Sequence, residues 1–275
     1  MIIRRDICLG GLDRLPTGSA GHGIALVDQL ALVRASGYAG VVAWHGWQAI
    51  RDAGLIPCGM GGVRMPQEVL PLARRHHDAG LDFTTLHVGT GFETDDEMAR
   101  LAEAVLAATA QTGHRLYVET HRATMTQDIR RTIDLLARFP QLLLTLDFSH
   151  WYTGHEMTYA GEFAERLARL DPVFARVGSI QLRMGTSGAI QRPIDPASAH
   201  FRDHVAALDR CLAVLRGSPD PPDTISVAPE LLPMMLGEGE AARPIHYAEE
   251  PEQSDRFAEA LALSALAEAR MKIFQ

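Results

Sequence analysis

Two hydrophobic periods alternate along this chain. Short apolar runs, rich in Ile, Val, Leu and Phe and about the length of a buried strand, are separated by longer stretches whose apolar positions recur three and four residues apart. The runs predict strands at residues 2–9, 38–44, 55–60, 83–88, 115–119, 142–147, 177–183 and 224–227, the last reaching Glu230. The longer stretches predict helices at 24–35, 48–52, 66–79, 94–113, 126–139, 159–170, 200–216 and 253–270. Local signals mark several of their ends. Pro66 opens one helix and Gly80 stops it. Thr94 caps the next, with Asp95, Asp96 and Glu97 in its first turn where the helix dipole favours them. Thr126 is the expected cap of the helix that ends at Phe139–Pro140. The run ending at Asp147 is continuously apolar, as suits a strand covered on both faces, and a polar loop is expected after it. Long loops fall at 10–23, 184–197 and 231–251.

Strict strand–helix alternation argues for an α/β protein with a parallel sheet under helices. Eight such units in 275 residues, with no compositional break, predict a single-domain (β/α)8 TIM barrel over residues 1–275 rather than an open doubly wound sheet. Neither a dinucleotide glycine fingerprint nor a phosphate P-loop is present.

Composition narrows the function classes. Apolar residues make up 47% and charged residues 22% of the chain, the balance of an ordinary globular protein. With 26 basic and 34 acidic side chains the formal charge is −8, which offers neither nucleic acid nor an anionic membrane a footprint. Cys8, Cys58 and Cys211 show no zinc or disulfide spacing, and Arg4, Arg5 and Asp6 interrupt the N-terminal apolar patch, so a cytoplasmic location is expected. No apolar run approaches the roughly 18 residues of a membrane span.

The chemistry gathers at strand ends. His87 closes the fourth strand, Glu119 the fifth, Asp147 the sixth, Gln181 and Arg183 the seventh, and Glu230 follows the eighth. Barrel active sites are built at that C-terminal face. Three carboxylates a few ångströms apart need a counter-charge. A divalent cation held by oxygen ligands supplies one, with Mn2+ or Mg2+ favoured and Co2+ or Zn2+ also compatible. The plainer reading is structural pairing of Glu119 and Asp147 with Arg115, Arg122 or Arg183. His87 and His121 would be weak candidates alone, since a strand-end histidine is more often a hydrogen-bonded structural residue; His150 gains from following Asp147 by three.

The runs V-E-T-H-R at 118–122, L-D-F-S-H-W-Y at 146–152 and A-P-E-L-L at 228–232 resemble the xylose-isomerase-like barrels, which include sugar phosphate isomerases and epimerases. The resemblance spans residues 87–230, most of the chain. It implies metal ligands at Glu119, Asp147, Gln181 and Glu230, and substrate contacts from His87, His121, His150 and Arg183. The strand-seven run S-I-Q-L-R-M-G departs from the family's S-I-H-x-R-x-G, so Gln181 stands where the metal histidine would be. A Gln oxygen binds more weakly than imidazole and shifts preference from Zn2+ toward Mg2+ or Mn2+. The implied reaction is isomerisation or epimerisation of a small carbohydrate-like ketone through an enediolate, with Glu119 and Glu230 as the acid–base pair. A lyase or dehydratase acting through the same intermediate is the alternative. A metal-poor barrel that binds a ligand without turning it over is a second, and Gln181 is the feature that favours it.

Weaker signals complete the list. Trp44, His45 and Trp47 are read as a wall for a sugar ring or as core aromatics. His76 and His77 are read as a solvated helix face. The loop at 184–196, with Gly185, Thr186, Ser187 and Gly188, lies where barrels often bind phosphate, although Gly-Thr-Ser-Gly is also ordinary loop chemistry. The apolar face of the last helix, 257–269, can pack on the barrel or on a second subunit of a homo-oligomer.

Overall fold

The computed structural model describes residues 1–233, 235–236, 243–244 and 254–274. Eight parallel strands close into one barrel: β1 Ile2–Cys8, β2 Gly40–Ala43, β3 Ile56–Val63, β4 Phe83–Val88, β5 Arg115–Glu119, β6 Leu144–Asp147, β7 Val177–Leu182 and β8 Thr224–Pro229. Neighbours in sequence pair throughout, and β8 returns to β1 with Ile2 opposite Thr224. The helices between them are α1 Leu26–Ala35, α2 Trp47–Asp52, α3 Pro66–Asp78, α4 Asp95–Thr112, α5 Ile129–Arg138, α6 Phe148–Gly154, α7 Phe163–Ala168, α8 Asp171–Phe174, α9 Ala199–Arg216 and α10 Arg256–Ile273. The structure is therefore a single (β/α)8 barrel covering the chain. A short antiparallel pair, β9 Met235–Leu236 with β10 Arg243–Pro244, lies in the loop expected at 231–251, most of which is outside the described residues. No helix among the described residues is long and apolar enough to cross a membrane.

Strand alternation separates two environments. Outward positions such as Ile7, Val41, Leu86, Val118, Leu146, Ile180 and Val227 are buried against the helices in the main core. Inward positions fill the barrel with a second, smaller cluster that includes Val42, Cys58, Met60, Phe83 and Tyr117. The same inward rows carry His87, Glu119, Asp147, Gln181, Arg183 and Glu230 to the upper mouth. At the opposite mouth Arg4 bonds Asp6 and, at 2.6 Å, Asp82, while Ser226 donates to Asp6 at 2.6 Å. These charges pair across the end of the barrel opposite the cavity. Gly178 lets the barrel pack closely, since an added Cβ would stand 2.7 Å from the Tyr117 ring.

Several expected boundaries shift for identifiable reasons. Asp128, not Thr126, caps α5, its carboxylate accepting from Arg131 N at 2.8 Å. The Thr126 hydroxyl is engaged instead with the Glu119 carbonyl at 2.5 Å and holds the end of β5. The polar loop expected after Asp147 is α6, which Asp147 itself caps through Ser149 N at 3.0 Å. The helix expected at 159–170 is broken, because Ala160 sits at φ +56°, and only α7 remains before α8. α1 starts at Leu26 rather than 24, and β3 runs on to Val63. α10 starts at Arg256; Gln253, where the sequence places its start, is outside the described residues. Its apolar face, including Phe257, Leu263 and Ala267, is buried within this chain.

His76 is also not solvated. It is buried, and His77 alone is exposed. The Thr84 hydroxyl sits between His76 Nδ1 and His114 Nε2, 2.8 Å from each. Trp47, which does not wall the cavity, stacks edge-on over His76 at 4.9 Å and donates to Ala43 O at 2.9 Å. Burial, reinforced by Arg75 and His114, lowers the His76 pKa to about 4. Burial, then His77 and Arg115, lowers His114 to about 4. In the unfolded chain both titrate near 6.5. Between about 4 and 6.5 the unfolded chain therefore binds more protons, and stability falls as pH falls through that window. Urea melts at pH 7, 5.5 and 4.5 should show this loss, on the order of a few kcal/mol for the pair. The His76→Gln, His114→Gln double variant should lose less over the same range; an equal loss would refute the assignment.

Candidate functional site

A cavity of about 980 Å³ opens at the C-terminal mouth and reaches from Cys8 and Met60 up to Trp44, Arg122 and Leu232. The floor on one side is ionic. Arg183, 3% exposed, bonds Asp147 and lies 3.0 Å from Glu230. Its Nε donates to Ser149 Oγ at 3.0 Å, and its NH2 group lies 3.2 Å from His150 Nε2. Strand pairing brings these partners together: Asp147 opposes Gln181 in the β6–β7 ladder, so Arg183 follows one inward step higher. Thr120 locks Asp147 in place. Its hydroxyl donates to Asp147 O at 3.0 Å and accepts from Asp147 N at 2.9 Å.

The histidines separate into two protonation states. His87 Nε2 donates to Glu119 Oε2 at 2.9 Å. Burial opposes a charge on His87, but Glu119, then Glu230 and Asp147, outweigh it and raise its pKa to about 9. His121 is pushed the other way, to about 3, by burial and by the charge of His87. Its Nδ1 accepts from Ala123 N at 3.1 Å, so the neutral ring carries its proton on Nε2. His150 is lowered well below its ordinary value by burial, then by His121 and Arg183. The three rings form a ladder, His87 to His121 at 4.6 Å and His121 to His150 at 4.0 Å. Glu230 is raised to about 8 by burial, with Arg183 opposing and Glu119 and Asp147 adding to the rise.

Glu119, Asp147 and His150 bring one donor atom each within 4.8 Å of one another. His150 Nε2 stands 3.5 Å from Asp147 Oδ2 and 3.7 Å from Glu119 Oε1, too long for good hydrogen bonds, on a ring held neutral. Lone pairs that converge in this way suit a divalent cation. One orphan points the same way: Gln181 Oε1 is buried without a hydrogen-bond partner among the described residues, as is His150 Nδ1, the nitrogen left with the proton when Nε2 offers its lone pair. His87, Glu119 and His121 also converge within 4.8 Å, but there His87 already donates to Glu119 and His121 Nδ1 accepts from the backbone. Glu230 lies 3.0 Å from Arg183, which also bonds Asp147 of the first group.

Of the site residues named from the sequence, His87, Glu119, His121, His150, Arg183 and Glu230 line the cavity. Asp147 and Gln181 are buried beside it, the Gln181 amide nitrogen 3.9 Å from Cys8 Sγ. Thr120, Thr126 and Ser149 were missed. Only Ser149 carried a signal, as the residue two after a capping Asp. The loop after β7 is not built for phosphate. Thr186 N bonds Ala189 O at 2.7 Å, Gly188 N and Ala189 N turn to the Thr186 hydroxyl, and Gly185 N is 3.2 Å from His204 Nε2.

The sequence matches no family model and no curated protein. Solved structures do match over nearly the full length. A xylose isomerase-like TIM barrel protein from Mycobacterium smegmatis in complex with magnesium is 13% identical, with 98% of this chain and 97% of that one covered and a TM-score of 0.57. A sugar phosphate isomerase/epimerase from Parabacteroides distasonis is 11% identical, with 98% and 95% covered and a TM-score of 0.55. The probable 3-DHS dehydratase of petrobactin synthesis from Bacillus anthracis is 13% identical, with 98% of each chain covered and a TM-score of 0.54. The chain shares the TIM-barrel fold of these proteins.

Arg183→Met should destabilise the protein by about 3–5 kcal/mol, because it leaves Asp147 and Glu230 buried without their cation. Denaturant melts check this, and adding Asp147→Asn to Arg183→Met should recover part of the loss. A loss near zero would mean that Arg183 does not neutralise the floor.

Proposed function

We propose that this protein is a divalent-metal-dependent isomerase or epimerase of a small sugar or other polyhydroxylated ketone. The observation that carries the reading is the convergence of Glu119, Asp147 and neutral His150 beside two further carboxyl and amide groups, Glu230 and Gln181, at the barrel mouth. Glu119, Asp147 and His150 would hold the cation, with Gln181 and Glu230 completing the set that the sequence resemblance implies. Mn2+ or Mg2+ is the preferred ion, since carboxylates and an amide oxygen predominate. The bound cation would polarise a substrate carbonyl and stabilise the enediolate that forms by proton loss next to it.

The chain's own groups divide the remaining work. Glu230, raised to about 8, holds a proton near neutral pH and can deliver it to the substrate. Glu119, on the other side of the ring of strands and bonded to charged His87, takes the proton from carbon. His121 offers its Nε2 proton, and His150 its unpartnered Nδ1, to substrate hydroxyls. Arg183 keeps Glu230 oriented. A dehydratase needs the same proton abstraction followed by loss of a β-hydroxyl, and one of the structural neighbours is a probable dehydratase. That second reading uses the same residues and differs in product. The substrate is a small molecule, and we place the protein in the cytoplasm.

The metal requirement has a pH signature. Protons on His87, which lets go near 9, and on Glu230, near 8, compete with a cation for the site. Mn2+ affinity, measured by equilibrium titration, should therefore rise from pH 6.5 to 8.5 as those protons leave. About one ion per chain should bind, and Glu119→Gln and Asp147→Asn should abolish tight binding. Affinity that is flat with pH, or unchanged in both variants, would remove the site.

The metal-loaded protein should exchange solvent deuterium into a ketose or keto-inositol. Glu230→Gln should lower that rate by about 10²–10⁴, the range of general acid–base catalysis, and Glu119→Gln by at least as much, because it removes a metal ligand together with the base. Exchange that persists at wild-type rate in both variants would rule out this pair. A dehydrated product in place of an exchanged one would select the lyase reading.

A further inference from the structure

The cavity has two poles. Glu119, Glu230, His87, His121, His150 and Arg183 occupy the side formed by β4 to β8, whereas the side formed by β1, β2 and the loops after β7 and β8 is mainly apolar, with Leu9, Leu26, Trp44, Ile190 and Leu232 beside the polar Asp13, Gln29 and His45. Trp44 connects floor and rim. Its ring meets His87 edge-on at 5.5 Å, yet the residue remains 50% exposed. Leu26, at the first turn of α1, is 38% exposed on the same cavity. Exposed side chains of this size at a cavity mouth are the surface on which a ligand gains affinity by losing water.

The wall is built rather than accidental. Gln29 Nε2 donates to Leu12 O at 3.1 Å and to Gly21 O at 3.0 Å, and fixes the loop that carries Leu12 against α1. The Arg256 guanidinium, buried beneath, donates to Gly11 O at 2.7 Å, Asp13 O at 2.8 Å and Arg14 O at 2.7 Å. Gln191 clasps Leu232 through both backbone groups, donating to its O at 2.9 Å and accepting from its N at 2.8 Å. These bonds fix the backbone that carries Leu12 and Leu232 at the cavity wall. Its volume, about 980 Å³, lies at the top of the roughly 300–1,000 Å³ range that encloses drug-sized ligands and exceeds what a lone small sugar needs.

We propose that the substrate is amphiphilic: a polyhydroxylated head at the carboxylate–histidine pole, joined to an aromatic or other apolar group that lies along Trp44 and Leu26, as in a glycoside with an apolar aglycone. The proposal rests on the sugar-enzyme reading above for the head and on Trp44, Leu26 and the cavity volume for the tail. It makes Trp44 and Leu26 the residues that set specificity.

Calorimetric titration of the Mn2+-loaded full chain tests it, with paired methyl and phenyl glycosides of hexoses that carry a ring ketone and with 4-methylumbelliferone as an aryl group without a sugar. The phenyl member of at least one pair should bind about tenfold tighter than the methyl member, as a stacked aromatic ring provides. Trp44→Ala and Leu26→Ser should each remove most of that preference, so that the phenyl and methyl members of a pair bind nearly alike. Pairs that bind alike in the wild type, or a preference that survives both substitutions, would overturn the amphiphilic substrate while leaving the sugar reading standing. Binding of 4-methylumbelliferone that depends on Trp44, with no glycoside bound, would uphold the apolar wall and sink the sugar head. No Trp44-dependent binding of any probe overturns the proposal.

Discussion

The buried guanidinium of Arg183 is the constraint around which the site is arranged. Asp147 and Glu230 converge on it from β6 and from the end of β8, on the two sides of β7. Taking these groups out of water is costly, and the attraction between them offsets the cost only when every donor and acceptor is placed well. The barrel provides that placement. The Asp147–Gln181 register sets the height of β7 against β6, and Glu230 N bonds Leu182 O at 3.2 Å to set the height of the β8 end. Thr120 then fixes the Asp147 backbone, and Ser149 its carboxylate. A slip of one residue in β7 would turn Gln181 and Arg183 out of the barrel together. The ion cluster therefore specifies the register as much as the register assembles the cluster.

One consequence is that chemically similar groups are given different tasks. His87 and His121 stack 4.6 Å apart, yet one is driven charged and the other neutral. The difference comes from what each ring touches. His87 meets the Glu119 carboxylate, while His121 meets a backbone N–H and the charge of His87 itself. Charging one ring suppresses its neighbour, so the ladder supplies an ion pair at one end and neutral donors and acceptors at the other. That asymmetry is what a site needs if it must orient hydroxyls and also move protons.

Much of this was legible in the sequence because it depends on short periods. Strand alternation places Phe83, Thr85 and His87 on one face and Thr84, Leu86 and Val88 on the other, so a polar residue at the end of an apolar run identifies the mouth of the barrel. His76 was legible as well and was misread: Val69, Leu72, Ala73 and His76 follow the helical period, and all four are buried. Its chemical neighbours, Arg74, Arg75, His77 and Asp78, outweighed its position. What was not legible is long-range. Arg183 could have paired with any carboxylate, and only the closed barrel selects Asp147 and Glu230. The hydroxyls of Thr120 and Thr126 stabilise the site through backbone groups, which leave no mark in residue type. Ala160 at positive φ broke a helix that its composition favours.

The two halves of the cavity follow from the same geometry. In a closed barrel each strand contributes its last inward residue to the mouth, so the order of side chains around the rim is the order of strands in the sequence. The ends of β4 to β8 carry His87, Glu119, Asp147, Arg183 and Glu230, which need one another as counter-charges and so must occupy contiguous strands. The ends of β1 and β2 meet the far side of that arc, where Leu9, Trp44 and the α1 residue Leu26 stand and where Asp13 and His45 add polar groups. Segregation into a charged arc and an apolar arc is thus a solution to the electrostatics of the rim before it is a feature of recognition. A ligand with one polar and one apolar end is the shape that such a rim can desolvate completely, because neither end is left facing the wrong wall.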